Sequence, residues 1–145
     1  MEFHRIMVPV NGTEVDDEVI RLACRLAKLD KKEKGKIWII YVIAVRRALP
    51  LNAEIESEIT KAEAILDHTE TIADEEDCGV ETDLLQARDP GPAIVDEAAD
   101  READLIVMGI EYKKRFGQFS LGSVVPYVLE NAPCQVMLYQ ETRGK

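Results

Sequence analysis

Apolar positions along the chain fall into two periods that alternate five times, short unbroken runs followed by longer stretches with a 3.6-residue repeat. Arg5 to Val10 (RIMVPV) is apolar and closes at Asn11-Gly12, which predicts a buried first strand. Thr13 then opens a helix, with Thr13 and Asp16 in capping-box spacing and Val15, Val19, Leu22, Ala23, Leu26 and Leu29 on one stripe. Lys31, Lys32 and Lys34 suit the negative end of that helix, and Gly35 stops it. Ile37 to Val45 (IWIIYVIAV) has no polar alternation, as a strand buried on both faces should not. A long helix follows from Asn52 to Asp77, with Ile55, Ile59, Ala62, Leu66, Thr69, Ile72 and Ala73 on one stripe, an acidic opposite face and Gly79 as its stop.

Val80 to Ala87 alternates more than the other strands, with Glu81 and Asp83 on one face, and predicts an edge. Asp89-Pro90 supplies an N-cap and a first-turn proline for a helix carrying Ile94, Val95, Ala98 and Ala99. Leu105 to Met108 reads as a fourth strand and Gln135 to Tyr139 as a fifth, separated by an irregular stretch from Gly109 to Leu121 and a helix from Ser123 to Asn131. Pro126 falls in the first turn of that helix, where its missing N–H costs nothing.

Alternation of this kind means an α/β fold, a doubly wound five-stranded parallel sheet with helices on both faces. The second strand is the most apolar and the third the least, so the order 3-2-1-4-5 is expected rather than 2-1-3-4-5. In that order the winding reverses between strands one and four, and ligands bind outside their carboxyl ends. Those ends are Val10-Asn11-Gly12 and Gly109.

With 145 residues, 46% apolar and 32% charged, the chain has the size and composition of one domain. The longest apolar run is nine residues, against roughly 20 for a membrane helix. No basic and apolar leader opens the sequence, and a cytoplasmic protein is expected. Cys24, Cys78 and Cys134 are widely spaced and fit reduced thiols better than a zinc or redox motif. A net charge of −10 argues against nucleic acid and anionic membranes as partners, since such a chain gains nothing from counterion release.

One stretch departs from that charge balance. From Gly109 the chain runs EYKKRFGQFSL and reaches Gly122-Ser123 at a helix start, where backbone N–H groups, a glycine and a hydroxyl suit phosphate. Lys113, Lys114 and Arg115 add three cations there, unless they only balance neighbouring acids. Other phosphate and catalytic patterns are missing: there is no P-loop, no acidic pair after strand one as in receiver domains, and no assembled nucleophile and base. His4 and His68 are expected to be solvated or half-buried, and no metal site is expected.

Three blocks, IMVPVNGTE, LIVMG and LGSVVPYVLENAPCQVML, resemble the universal stress protein family, and the resemblance covers nearly the whole chain. The nucleotide-binding branch of that family carries Gly-x2-Gly-x9-Gly-Ser/Thr, which Gly109, Gly122 and Ser123 match with the spacing intact, while Tyr112 stands at the second glycine. The resemblance implies the same 3-2-1-4-5 sheet. It implies an adenine contact from Val42 and ribose or adenine contacts around Pro9, Val10 and Asn11. It implies phosphate contacts from Gly109, Gly122, Ser123 and Val124; with Tyr112 in place of the second glycine, either the site is lost or Tyr112, Lys113, Lys114 and Arg115 rebuild it with side chains. The ligand expected is ATP or AMP, with Mg2+ carried on the phosphates, and the role is that of a nucleotide-responsive regulatory or adaptor module. A homodimer through the last strand is also implied.

Two further departures stand beside Tyr112: Asn11 replaces the usual aspartate, and Arg88 replaces a glycine and brings a side chain near or over the crevice. They leave open a nucleotide-free dimeric scaffold whose crevice is filled by its own side chains. A slow ATP hydrolase, with Glu111 as the one nearby carboxylate to serve as base, is the third reading.

Overall fold

The computed structural model describes residues 2–32, 35–110, 113–115, 118–120 and 123–141, with backbone pairing alone in the two short segments between 110 and 121. The strands β1 (Arg5–Val10), β2 (Lys36–Ala44), β3 (Glu81–Ala87), β4 (Leu105–Ile110) and β7 (Gln135–Gln140) form one parallel sheet in the order β3-β2-β1-β4-β7. That is the expected 3-2-1-4-5 order, with β3 and β7 at the edges.

Alternate residues of the central strands enter opposite layers, as the period of two demands. Ile6, Val8 and Val10 of β1, Ile37 and Ile39 of β2, and Leu105 and Val107 of β4 pack under helices α1 (Val15–Ala27) and α2 (Glu56–Glu75). Met7, Trp38, Ile40, Ile106 and Met108 face α3 (Pro90–Asp100) and α4 (Val124–Asn131). Trp38 is core, as expected; its Nε1 donates to Glu81 Oε2 at 2.5 Å, and the Arg101 guanidinium lies 5.5 Å above its ring.

Several element ends differ from expectation. The long helix begins at Glu56 rather than Asn52, because Gln86 of β3 donates to the carbonyls of Leu51 and Ala53 and holds that segment in turns. Its end is set by Asp77 rather than Gly79. Asp77 takes a left-handed φ of 54°, with its N–H on Asp74 O and the Cys78 N–H on Ala73 O. Helix α3 stops in the same way, with Glu102 at φ 55° and Ala103 N–H on Ala98 O. Gly35 does not stop α1; it lets the chain pass Phe3 O and Ala27, where a Cβ would come within 2.6 Å of the carbonyl. Asp89 holds the N-cap position of α3 without a side-chain cap bond. The stretch from Gly109 to Leu121 is not wholly irregular, since β4 continues to Ile110, and β5 (Lys113–Arg115) pairs antiparallel with β6 (Gln118–Ser120).

The β1–α1 loop departs most from the expected capping box. Thr13 does not cap α1, which begins at Val15 with no side-chain cap bond. Instead Asp16 turns back and accepts the Gly12 N–H at 2.8 Å. Gly12 sits at φ 84°, and a Cβ there would be strained and would have to displace Ile65 Cδ1 of α2, 2.7 Å away. Asp16 is 6% exposed. Burial pushes its carboxyl up from 3.8 to about 6, against the opposing pull of the N–H groups at Gly12, Asn11 and Thr13.

A carboxyl raised in the folded state stabilises the protein in its protonated form. The contribution of Asp16 is therefore complete below the unfolded value of 3.8 and is lost as pH rises through about 6. Compared with Asp16→Asn, which never ionises, the wild-type chain should lose up to about 3 kcal/mol between about pH 4 and pH 7, at about 1.4 kcal/mol per pKa unit. Urea unfolding of both proteins across that range measures it, and a difference independent of pH would contradict it. Glu102→Gly, which relieves a left-handed side chain far from the strand carboxyl ends, should raise stability by about 0.5–1 kcal/mol in the same assay.

Candidate functional site

The ladder between β1 and β2 runs from Arg5↔Lys36 to Val10↔Tyr41, six pairs long. That between β1 and β4 has only Ile6↔Leu105 and Met7↔Ile106. Beyond Met7 the two central strands go on without paired residues, and Pro9, which has no N–H to give, stands in that unpaired stretch. The result is a crevice at the carboxyl ends of β1 and β4, where the winding direction reverses. Helices on a parallel sheet run opposite to the strands, so their N-termini come to the same end. The first turn of α4 is held there, with Val124 and Val125 packed on the cluster that contains Met7 and Met108.

Pro9, Val10 and Asn11 follow one another up the β1 wall; Val10 is buried and Asn11 exposed. Val42 lies next to that wall in β2, just past the Val10↔Tyr41 pair, and packs toward α3 and α4. Gly109 forms the β4 wall. A Cβ on it would strike Val15 and Val19 of α1 at 2.8 and 2.9 Å, so helix packing alone requires this glycine. Ser123 is the exposed N-cap residue of α4, and its hydroxyl makes no cap bond. These six residues and Val124 are gathered at one end of the sheet. Tyr112, Gly122 and the possible base Glu111 lie outside the described residues. Lys113 and Arg115 are placed by backbone only, in β5.

Arg88 does not lie across the crevice. Its Nη1 donates to the carbonyl of Arg46 at 2.6 Å and toward that of Val45 at 3.5 Å, folding the guanidinium over the chain that leaves β2. With exposed Arg46 and Arg47 it adds basic residues at the carboxyl end of the sheet that the sequence reading did not collect.

Two more groups at this end were missed. Thr13 Oγ1 is shielded from solvent with no hydrogen-bond partner, an arrangement that costs free energy unless something pairs with it. Asp16 puts a carboxylate directly under the loop that follows β1. Their spacing looks like a helix cap, and the sequence holds no other signal for them.

Among the described residues, no three His, Cys, Asp or Glu side chains are grouped to hold a metal ion, and no helix is long and apolar enough to cross a membrane. The histidines pair with carboxylates, His4 Nδ1 with Asp30 at 2.6 Å and His68 Nε2 with Asp17 at 2.9 Å, on exposed rings. Among the described residues, the carboxyl end thus offers the N-terminus of α4, the Ser123 hydroxyl and nearby arginines, groups that suit an anion.

Known proteins share this fold. A universal stress protein of Methanocaldococcus jannaschii is 31% identical over 97% of this chain and 84% of its own. A universal stress protein structure from Archaeoglobus fulgidus matches with a TM-score of 0.77 and 24% identity, over 93% of this chain and 97% of that one. The universal stress protein of Archaeoglobus fulgidus in complex with dAMP matches with a TM-score of 0.74 and 25% identity, over 95% and 98%. The Universal stress protein family model matches residues 2–140, and with the relative's identity this establishes that the chain belongs to the universal stress protein family.

Proposed function

We propose that this chain binds an adenine nucleotide, ATP or AMP, in the crevice between β1 and β4, and that occupancy tunes its contact with a protein partner as a regulatory or adaptor module. The observation that carries the reading is the early end of the β1–β4 ladder beside a helix N-terminus whose Ser123 hydroxyl is unused. Its Archaeoglobus fulgidus neighbour in complex with dAMP supports the same ligand class.

In this reading the adenine lies along Val42, the ribose at Pro9, Val10 and Asn11, and the phosphates at Gly109, Gly122, Ser123 and Val124. Tyr112, Lys113 and Arg115 complete the phosphate end, and Mg2+ enters only on the phosphates. Thr13 Oγ1 is a further donor for the ribose or a phosphate oxygen. The retention of Arg88 on the carbonyls of Val45 and Arg46 removes one reason to expect a crevice filled by the protein's own side chains. The same reading includes a homodimer through β7, which pairs with β4 on one side and forms the outer edge of the sheet.

Calorimetric titration with ATP at micromolar to millimolar concentration should give one site per chain. Ser123→Ala should weaken ATP by about tenfold, the worth of a charge-assisted hydrogen bond, and adenosine much less. An absence of heat with ATP and AMP alike, with or without magnesium, would contradict the site. Light scattering should read the mass of two chains at micromolar protein, and a single-chain mass would remove the dimer from the proposal.

A further inference from the structure

Away from the nucleotide crevice, at the amino ends of β2 and β3, a cavity of about 390 Å³ opens between the ends of α1 and α2. Lys28, Lys36, Asp77, Cys78 and Glu81 line it. Cys78 is half-buried, so its sulfur is within reach of a small solute in the cavity. Behind it, in α1, Cys24 is wholly buried in the core layer against which Cys78 packs. The neighbouring Cys78 thiol first, then burial, holds the Cys24 thiol well above its ordinary range.

The position of Cys78 is fixed. It follows left-handed Asp77 at the end of α2, its N–H is tied to Ala73 O, and Lys28 Nζ donates to the neighbouring Glu76 carbonyl. Cys134 packs on the opposite layer of the sheet, with Met7 and Ile106. Of three free cysteines, two therefore share one core layer and the third lies on the other.

We propose that Cys24 and Cys78 are a dithiol modification site, oxidised by hydroperoxides to a reversible disulfide that joins α1 to the turn after α2. Cys78 Sγ attacks a peroxide oxygen; the O–O bond breaks, leaving a sulfenic acid on Cys78 and releasing water or, from an alkyl hydroperoxide, the alcohol. Cys24 Sγ then displaces the sulfenic oxygen, the S–S bond forms as the S–O bond breaks, and the departing hydroxyl leaves as water with the Cys24 proton. Two thiols lose two electrons and two protons, and the peroxide takes up both. Cys78 is the first to react because the cavity reaches it, and Cys24 resolves because it sits against it. Burial of Cys24 makes over-oxidation of that sulfur slow.

The test uses the full chain, fully reduced, then exposed to hydrogen peroxide, alkylated with N-ethylmaleimide and mapped by mass spectrometry. The expected result is loss of two of the three alkylatable thiols, a cross-linked peptide pair containing Cys24 and Cys78, and reversal by a thiol reductant. Cys134→Ser should keep the cross-link and Cys78→Ala should abolish it. The wild-type peptide map decides the matter even where a variant folds poorly. A disulfide that includes Cys134, a disulfide between chains, or sulfinic acid on Cys78 with Cys24 still alkylatable after unfolding would each overturn the proposal.

Discussion

The pairing of the central strand β1 governs the functional end of this molecule. On one side it is laddered to β2 along its whole length; on the other its ladder to β4 stops at Met7↔Ile106. Backbone groups past that point cannot satisfy one another across the sheet, and a parallel sheet has no other way to pair them. The chain leaving β1 accordingly turns on left-handed Gly12 and takes a hydrogen bond from within, with Asp16 accepting at the loop's underside. Gly109, on the facing strand, gives up a side chain so that Val15 and Val19 of α1 can close down behind it. The crevice and the loop lie where that ladder ends, and helix packing on Gly109 seats α1 beside them.

Much of this was legible in the sequence. The order 3-2-1-4-5 followed from comparing how apolar each strand is, and the alternation between layers followed from residue parity. The candidate crevice could be placed at the carboxyl end of the sheet, because Asn11-Gly12 follows β1 and Gly109 stands one residue from the end of β4. Details that depend on contacts distant in sequence could not. Gln86 holds the turns before α2 through the Leu51 carbonyl, 35 residues away. Asp77 and Glu102 take the left-handed positions that a reader assigns to glycine. Three-residue strands such as Lys113–Arg115 are too short to show a period. Arg88 could be placed near the crevice but not aimed; only the carbonyls of Val45 and Arg46 show that it folds away. Thr13 and Asp16 were read as a helix cap because their spacing is that of one, whereas burial and the Gly12 bond give Asp16 a different task.

Charge is arranged along the same axis. The acidic excess of the chain lies in good part on exposed positions of α2, among them Glu63, Asp67, Glu70 and Asp74. Arg46, Arg47 and Arg88 stand instead at the carboxyl end of the sheet, with Lys113 to Arg115 in the hairpin that follows β4. An overall charge of −10 disfavours a long polyanion and is compatible with one small anionic ligand at that end. The cavity with Cys78 occupies the amino end, so the proposed nucleotide and thiol sites lie at opposite ends of one sheet.

The central claim is that an adenine nucleotide occupies the crevice left by the shortened β1–β4 ladder. Backbone amide resonances recorded by NMR during titration with AMP test it residue by residue. The account predicts shifts concentrated at Asn11 to Thr13, Val42, Gly109 and Ser123 to Val124, with those of Lys28, Lys36 and Cys78 unmoved. Shifts confined to the amino-end cavity, or none at millimolar AMP, would contradict it.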